Sequence, residues 1–297
     1  MVPQPGPSQE EAVTGASQPN PTVARRELAV IFRALRERQK RSLEDLAAHL
    51  DVALSQASRL DTGARGFRPD DVRKLASWYR LGDAEETRLL ALATESRKRA
   101  WWQQVDLPNS YRTLIGMEQA AVAVNEYCSS VVPGLLQTPE YARAATAASV
   151  LDIDAEQIDP AVDVRLRRQS VLSRTPPPQL WVVIDEAALA RVTGGRDVMR
   201  AQLEHLRDAA ARRNIVVQVI GFEYGTHPGG ESHFILLDMA GDLPDVVYTE
   251  GLHGPDDSSA ELDIRRYRRI WDLLRSIALN PRESSRRIAS YAQRLAS

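Results

Sequence analysis

The triple proline Pro176–Pro178 divides two hydrophobic rhythms, and that division limits the possible folds more than any other feature. Before it, apolar residues recur mostly at helical spacing, as in Leu28, Ile31, Phe32 and Leu35. After it come two short β-branched runs, LWVVID (Leu180–Asp185) and IVVQVIG (Ile215–Gly221), each the size of a buried strand. Between them, Met199, Leu203, Leu206 and Ala210 mark one face of a helix over Asp197–Arg213. Strand, helix, strand in about 40 residues predicts a parallel pair with a right-handed crossover. HFILLD (His233–Asp238) and DVVYTE (Asp245–Glu250) predict an antiparallel hairpin. Helices are expected at Met117–Ser129, Pro139–Ser149, Ile158–Arg174, Ser258–Leu279 and from Pro281 to the end.

The first hundred residues read differently. Residues 1–22 are rich in Pro, Gln, Ser and Gly and show no periodicity, so a disordered tail is expected. Five short helices should follow over 23–99: Val23–Lys40, one capped by Ser42 and running to Leu50, Leu54–Asp61, one capped by Asp70, and one from Asp83. The expected fold is thus an all-α helix-turn-helix domain over 23–99, then an α/β domain over 100–297 with a small mixed sheet flanked by helices.

Charge follows the same division. Residues 23–99 carry 17 Lys and Arg against 12 Asp and Glu, whereas 100–297 carry 21 against 26. A basic unit on an acidic body fits a polyanion partner for the first and not the second, although random surface scatter reads alike. No apolar run approaches the roughly 18–20 residues of a membrane span, the N-terminus lacks the pattern of a secretory signal, and Cys128 is the single cysteine. An internal disulfide and a Cys-rich zinc site are excluded, and a cytoplasmic location is the expectation.

The segment Ser42–Gly63 carries a mechanism. Leu46, Ala47 and Leu50 are spaced to pack on Ala57 and Leu60 across a turn of about four residues. The outward face of the second helix offers Ser55, Gln56, Ser58 and Arg59, polar groups suited to base edges in a major groove. Arg65 and Arg68 after it, and Arg38, Lys40 and Arg41 before it, are placed to clamp phosphates. The plainer reading is an ordinary helical hairpin.

Arg26–Arg80 resembles the xenobiotic-response-element, or Cro/repressor-like, helix-turn-helix family, through Leu35-Arg36, Leu43-x-x-Leu46-Ala47, Ser58-Arg59-Leu60-Asp61-x-Gly63 and Trp78-Tyr79. The rest resembles the C-terminal domain of actinobacterial, Scr-type, antitoxin-like regulators. Trp101-Trp102, Tyr111, Glu118, Val132-Pro133-Gly134-Leu135-Leu136-Gln137-Thr138, Tyr141-Ala142, Ile184-Asp185-Glu186 and Val247-Tyr248-x-Glu250 carry that likeness. The resemblance implies a homodimer on a two-fold operator, a recognition helix presenting Leu54 with Ser55, Gln56, Ser58 and Arg59, and a small partner protein encoded next door. Three positions depart from the pattern: Leu43 stands for a usual Gln, Asp51 for the turn Gly, and Leu54 for a polar residue.

Elsewhere the chemistry is sparse. The five histidines form no HExxH pair and no close His/Cys cluster, so a zinc site is unsupported and no metal and no cofactor are expected. His227, His233 and His253 can converge with Glu250, or simply be solvated. Asp185-Glu186 ends a strand, where α/β proteins often hold functional groups, yet Asp185 as the cap of the next helix is the favoured reading. No phosphate-binding glycine loop is present. Trp101, Trp102 and Tyr111 are expected between the domains, Cys128 on an apolar helix face, and Arg265–Arg269 on a solvated face or against an acidic partner or DNA phosphates. Asp185, Glu186, His233 and Glu250 form the candidate effector or partner site. They are also the sole candidates for an enzyme, a reading that lacks a nucleophile–base pattern. The α/β domain is equally compatible with a small-molecule effector pocket, and Leu43 and Leu54 with a helix-turn-helix that no longer reads DNA.

Overall fold

The computed structural model describes residues 20–149, 155–230, 232–241, 243–251 and 254–296. The expected tail lies outside them up to residue 19. Helix α1 (Pro21–Arg38) starts earlier than its apolar pattern suggests, because Pro21 enters at the first turn and the Asn20 side chain accepts from Val23 N. Helices α2 (Leu43–Leu50), α3 (Leu54–Asp61), α4 (Pro69–Tyr79) and α5 (Asp83–Glu95) follow. Leu28, Phe32, Leu46, Leu50, Ala57, Leu60, Val72 and Leu75 close one core among them. The N-cap of α4 is Arg68 rather than Asp70. Its N–H donates to Asp71 Oδ2 at 2.9 Å, so the carboxylate one position later does the capping.

Helix α6 (Asn109–Glu118) leads into a six-stranded sheet ordered β3-β2-β1-β4-β5-β6. The strands are β1 (Ala123–Cys128), β2 (Gln179–Asp185), β3 (Ile215–Ile220), β4 (Phe234–Asp238), β5 (Val246–Gly251) and β6 (Gly254–Ser258). The β2–β3 pair is parallel and β4–β5 antiparallel, as the patterns predict. Helices α7 (Pro139–Ser149) and α8 (Ala155–Arg168) cross from β1 to β2, and α9 (Glu186–Ala190) and α10 (Arg196–Ala209) from β2 to β3. The triple proline ends a 3-10 turn over Gln169–Ser173 rather than α8 itself.

Two expectations fail. Met117–Ser129 is not one helix: α6 ends at Glu118 and β1 takes a central place, parallel to β2 and antiparallel to β4. Its sequence AVNEYC holds a buried Asn and Glu, which disguises a strand covered on both faces. The expected helix from Ser258 starts at Glu261 as α11 (Glu261–Ile277), and residues 254–258 form edge strand β6.

The sheet is covered on both faces. Val124, Val182, Ile184, Val217, Val219, Ile235 and Tyr248 pack toward α7, α10 and α12 (Pro281–Ala296). Tyr127, Val183, Phe234, Leu236 and Val247 pack toward Ile264, Trp271 and Leu274 of α11. The α1 start docks on α6: Asn20 Nδ2 donates to Gly116 O at 2.7 Å and Trp102 Nε1 to Thr22 Oγ1 at 3.3 Å. A Cβ on Gly116 would sit 2.4 Å from Thr22 Oγ1, so this approach requires glycine. Trp102 therefore does fill the joint between the helical unit and the sheet domain, while Trp101 stacks under Arg167.

Candidate nucleic-acid interface and a buried polar site

Helix α2 is fixed by a reciprocal cap in which Ser42 Oγ accepts from Asp45 N and Asp45 Oδ2 accepts from Ser42 N. Asp51 takes the left-handed conformation expected of the missing glycine, with φ 56°, and turns the chain into α3. Leu43 is half-buried against the helical core, so its departure from a polar residue adds packing there. Gly63, at φ 74°, ends the motif.

The outer face of α3 carries Leu54, Ser55 and Arg59 exposed, with Gln56 and Ser58 half-buried. Arg59 and Arg65 have no side-chain hydrogen bond or ion pair among the described residues, whereas two of the expected phosphate clamps are engaged within the protein. The Arg68 guanidinium pairs with Asp71 at 3.2 Å. Arg41 lies 3.9 Å over Trp78, whose ring also stacks with His49. Lys40 remains exposed at a left-handed turn.

Sequence reading missed what holds α3 in place. Asp61, only 4% exposed, accepts from Arg36 Nε at 2.8 Å, Arg36 Nη2 at 2.9 Å and Arg33 Nε at 3.0 Å. The hydrogen bonds to Asp61 push the Arg36 guanidinium pKa up, against a smaller opposing effect of burial. The signal lay in Arg36 and Asp61, which carried the family likeness without an assigned role.

The second candidate lies in the sheet domain. The segment Val132–Thr138 is held by side chains from three other elements. Gln137 Nε2 donates to Val132 O and its Oε1 accepts from Arg165. Gln169 Nε2 donates to Gly134 O and Gln137 O. Gln202, fully buried, donates to Leu136 O and accepts from Thr138 N, both at 2.7 Å. Beneath it Arg168 grips Glu118 through two bonds of 2.5 and 2.7 Å and reaches Tyr111 Oη at 3.3 Å. A cavity of about 50 Å³ adjoins these groups, lined in part by Gln137, Arg165, Arg168, Glu126, His233 and Glu250.

Burial would raise the Glu126 carboxyl, but the His233 hydrogen bond, that ring's charge and Arg168 hold it below its ordinary value. Burial opposes protonation of His233, yet Glu126 and Glu250 lift it above the usual imidazole value. Burial, reinforced by Glu126, pushes the Cys128 thiol well up. Cys128 lies on strand β1 rather than on a helix face.

The expected effector quartet does not assemble. Tyr127 pairs with Val183 across β1 and β2, which puts Asp185 on the α11 side of the sheet, while His233 and Glu250 lie with Ile235 and Tyr248 on the other. Asp185 caps α9 through Ala187 N at 2.8 Å, as its cap reading predicts, and holds His227 Nε2 at 3.0 Å. Glu186 is buried and accepts from Phe222 N, Arg287 and Tyr291 Oη, tying α12 to the sheet. His227 is therefore apart from His233, and His253 lies outside the described residues.

A domain of unknown function, DUF5753, matches residues 111–290, more than half of the chain. The chain belongs to the DUF5753 family. A helix-turn-helix domain family matches residues 27–90, which span α2, α3 and α4 with most of α1 and α5, and this supports a DNA-binding regulator. Searches of curated proteins and of solved structures found no match. All residues of the buried polar site fall within the DUF5753 region, and the Asp61 brace falls within the helix-turn-helix region. No helix among the described residues is long and apolar enough to cross a membrane.

Proposed function

We propose that this DUF5753 protein is a cytoplasmic, sequence-specific transcriptional regulator that binds a two-fold operator as a homodimer, and whose DUF5753 domain is governed by a small partner protein in antitoxin fashion. The observation that carries the DNA half is the outer face of α3. Arg59 is exposed, without a side-chain partner among the described residues, on a helix whose end is locked by Asp61, so its backbone is already ordered for binding. Arg59 and Gln56 read base edges, and Arg65 and Lys40 meet phosphates. The exposed apolar and basic strip of α11 supports the partner half. Leu262 and Leu273 are 79% and 43% exposed beside Arg265, Arg266 and Arg269. Asp263 also lines this strip and Arg265 pairs with Glu261, but Arg266 and Arg269 leave it net positive, which favours an acidic partner.

The test is fluorescence anisotropy on the chain's own upstream DNA and on a scrambled duplex, at two salt concentrations. Arg59→Ala is expected to weaken specific binding by about 1–3 kcal/mol if it reads a base, or to lower the salt slope by about one if it meets phosphate. Unchanged affinity and slope would remove α3 as the recognition helix.

One observation favours a small-molecule effector as the second reading. A cleft of about 690 Å³ between α1 and the sheet domain is lined by Arg25, Arg26 and Arg112 with, among the described residues, one acid, Asp257. Arg26 pairs with Asp257, while Arg25 has no partner among the described residues and burial pushes its pKa down. Such a cleft suits an anion. Pyrophosphate altering DNA affinity in the wild type but not in Arg25→Ala would favour this reading over the protein partner. We read the DUF5753 domain as a binding rather than a catalytic unit, since Asp185 and Glu186 are engaged in capping and tethering.

A further inference from the structure

We propose that Glu126, Cys128 and His233 form a binding site for one zinc-class divalent ion. Glu126 and Cys128 project from the same face of β1, two residues apart, and His233 precedes β4, whose Phe234 pairs with Tyr127. The β1–β4 register thereby brings a carboxylate, a thiol and an imidazole together from positions over a hundred residues apart.

Three observations support the site. The first is spacing: Cys128 Sγ and His233 Nε2 each lie 3.5 Å from Glu126 Oε1, and the three ligand atoms lie within 4.8 Å of one another. Bonds of about 2.0–2.3 Å to a tetrahedral zinc separate neighbouring ligand atoms by about 3.3–3.8 Å, so the two pairs to Oε1 already fit and the sulfur–nitrogen pair closes by at most about 1 Å. The second is an unmet carboxylate. Glu126 is 1% exposed, its Oε2 has no hydrogen-bond partner among the described residues, and it lines the 50 Å³ cavity. A buried carboxylate oxygen left bare is costly, and either an ordered water or a cation held by both carboxylate oxygens satisfies it. The third is donor chemistry: sulfur, nitrogen and oxygen together suit zinc or cobalt and not magnesium or calcium.

The neighbouring Glu118–Arg168 pair neutralises itself. Binding requires the Cys128 thiolate and the neutral His233 ring, so the thiol proton and any imidazole proton leave to solvent, and thiolate and the Glu126 carboxylate balance the divalent ion. Glu250, which lines the same cavity, accepts from Tyr248 Oη at 3.0 Å. The cavity leaves room for water at the fourth position. The ion would fasten β1 to β4 at the root of the Val132–Thr138 segment, and it stands whether or not the chain reads DNA.

The experiment titrates untagged, chelator-treated full-length protein with Co²⁺ and then Zn²⁺. The expected result is one equivalent of Co²⁺ with a thiolate-to-cobalt absorption band, which Zn²⁺ abolishes. Since Cys128 is the single cysteine, such a band comes from it alone. Cys128→Ser removes the band, and Glu126→Gln and His233→Ala each weaken Zn²⁺ binding by at least about tenfold, with far-UV circular dichroism reporting their folding. Absence of the band in the wild type overturns the site, whatever the variants do. Zn²⁺ affinity unchanged in folded Cys128→Ser and His233→Ala overturns it as well.

Discussion

Removing the Asp61 carboxylate tests the reasoning about α3 most directly. In Asp61→Ala, Arg36, whose side chain is 12% exposed, loses both of its bonds to the acid. Breaking one side of a buried pair costs about 3–5 kcal/mol, because a charge is left without compensation. Arg33 is 49% exposed and adds less than about 1 kcal/mol. Arg36 keeps its Nη1 bond to Arg41 O at 3.1 Å, which places the loss near the lower end, about 3 kcal/mol. Hydrogen exchange read on peptides covering 54–61 isolates this helix from the rest of the chain. At about 1.4 kcal/mol per decade, α3 amides should exchange roughly 100-fold faster. The double variant Arg36→Met with Asp61→Leu replaces the pair by apolar groups and should recover most of the protection. Acceleration below about fivefold in Asp61→Ala, or a double variant as poor as the sum of the two singles, would refute the brace.

Two further outcomes follow from buried polar groups. Gln202→Leu strips partners from Leu136 O and Thr138 N at once and should destabilise the sheet domain by about 2–4 kcal/mol, read by urea unfolding. Tyr79 behaves oppositely: its hydroxyl is buried without a partner and burial raises its pKa to about 12. The unfolded tyrosine ionises first, near pH 10, so stability is complete below that and falls as pH rises toward 12. Tyr79→Phe should be neutral or stabilising at pH 7 and should flatten the melting-temperature profile between pH 10 and 12.

The helical unit was largely readable because its signals are local. The Ser42 cap, the left-handed Asp51, Gly63 and the spacing of Leu46, Leu50, Ala57 and Leu60 each act within a few residues, and each recurs in the structure. The strands β2, β3, β4 and β5 were readable for the same reason, being apolar runs bounded by turn residues. Strand β1 was hidden because buried Asn125 and Glu126 break its apolar pattern, and their partners, Asp238 and His233, come from far along the chain. Edge strand β6, of sequence GPDDS, has no strand-like composition and exists because β5 offers it a ladder.

The candidate sites divide in the same way. Arg59 and its neighbours on α3 face outward by helical period alone, so residue order is enough to name them. Whether Arg41 and Arg68 are free for phosphate was beyond that order, since Trp78 and Asp71 claim them through folding. The sequence also suggested grouping Asp185, Glu186, His233 and Glu250, but strand register set Asp185 and His233 on opposite faces. The same register joined His233 to Glu126 and Cys128 instead. Pairing between β1 and β4 spans more than a hundred residues, and side chains alternate faces along every strand. Which polar groups meet is therefore decided by tertiary pairing, whereas capping, helix period and the division into a basic helical unit and an acidic α/β body are written in the chain itself.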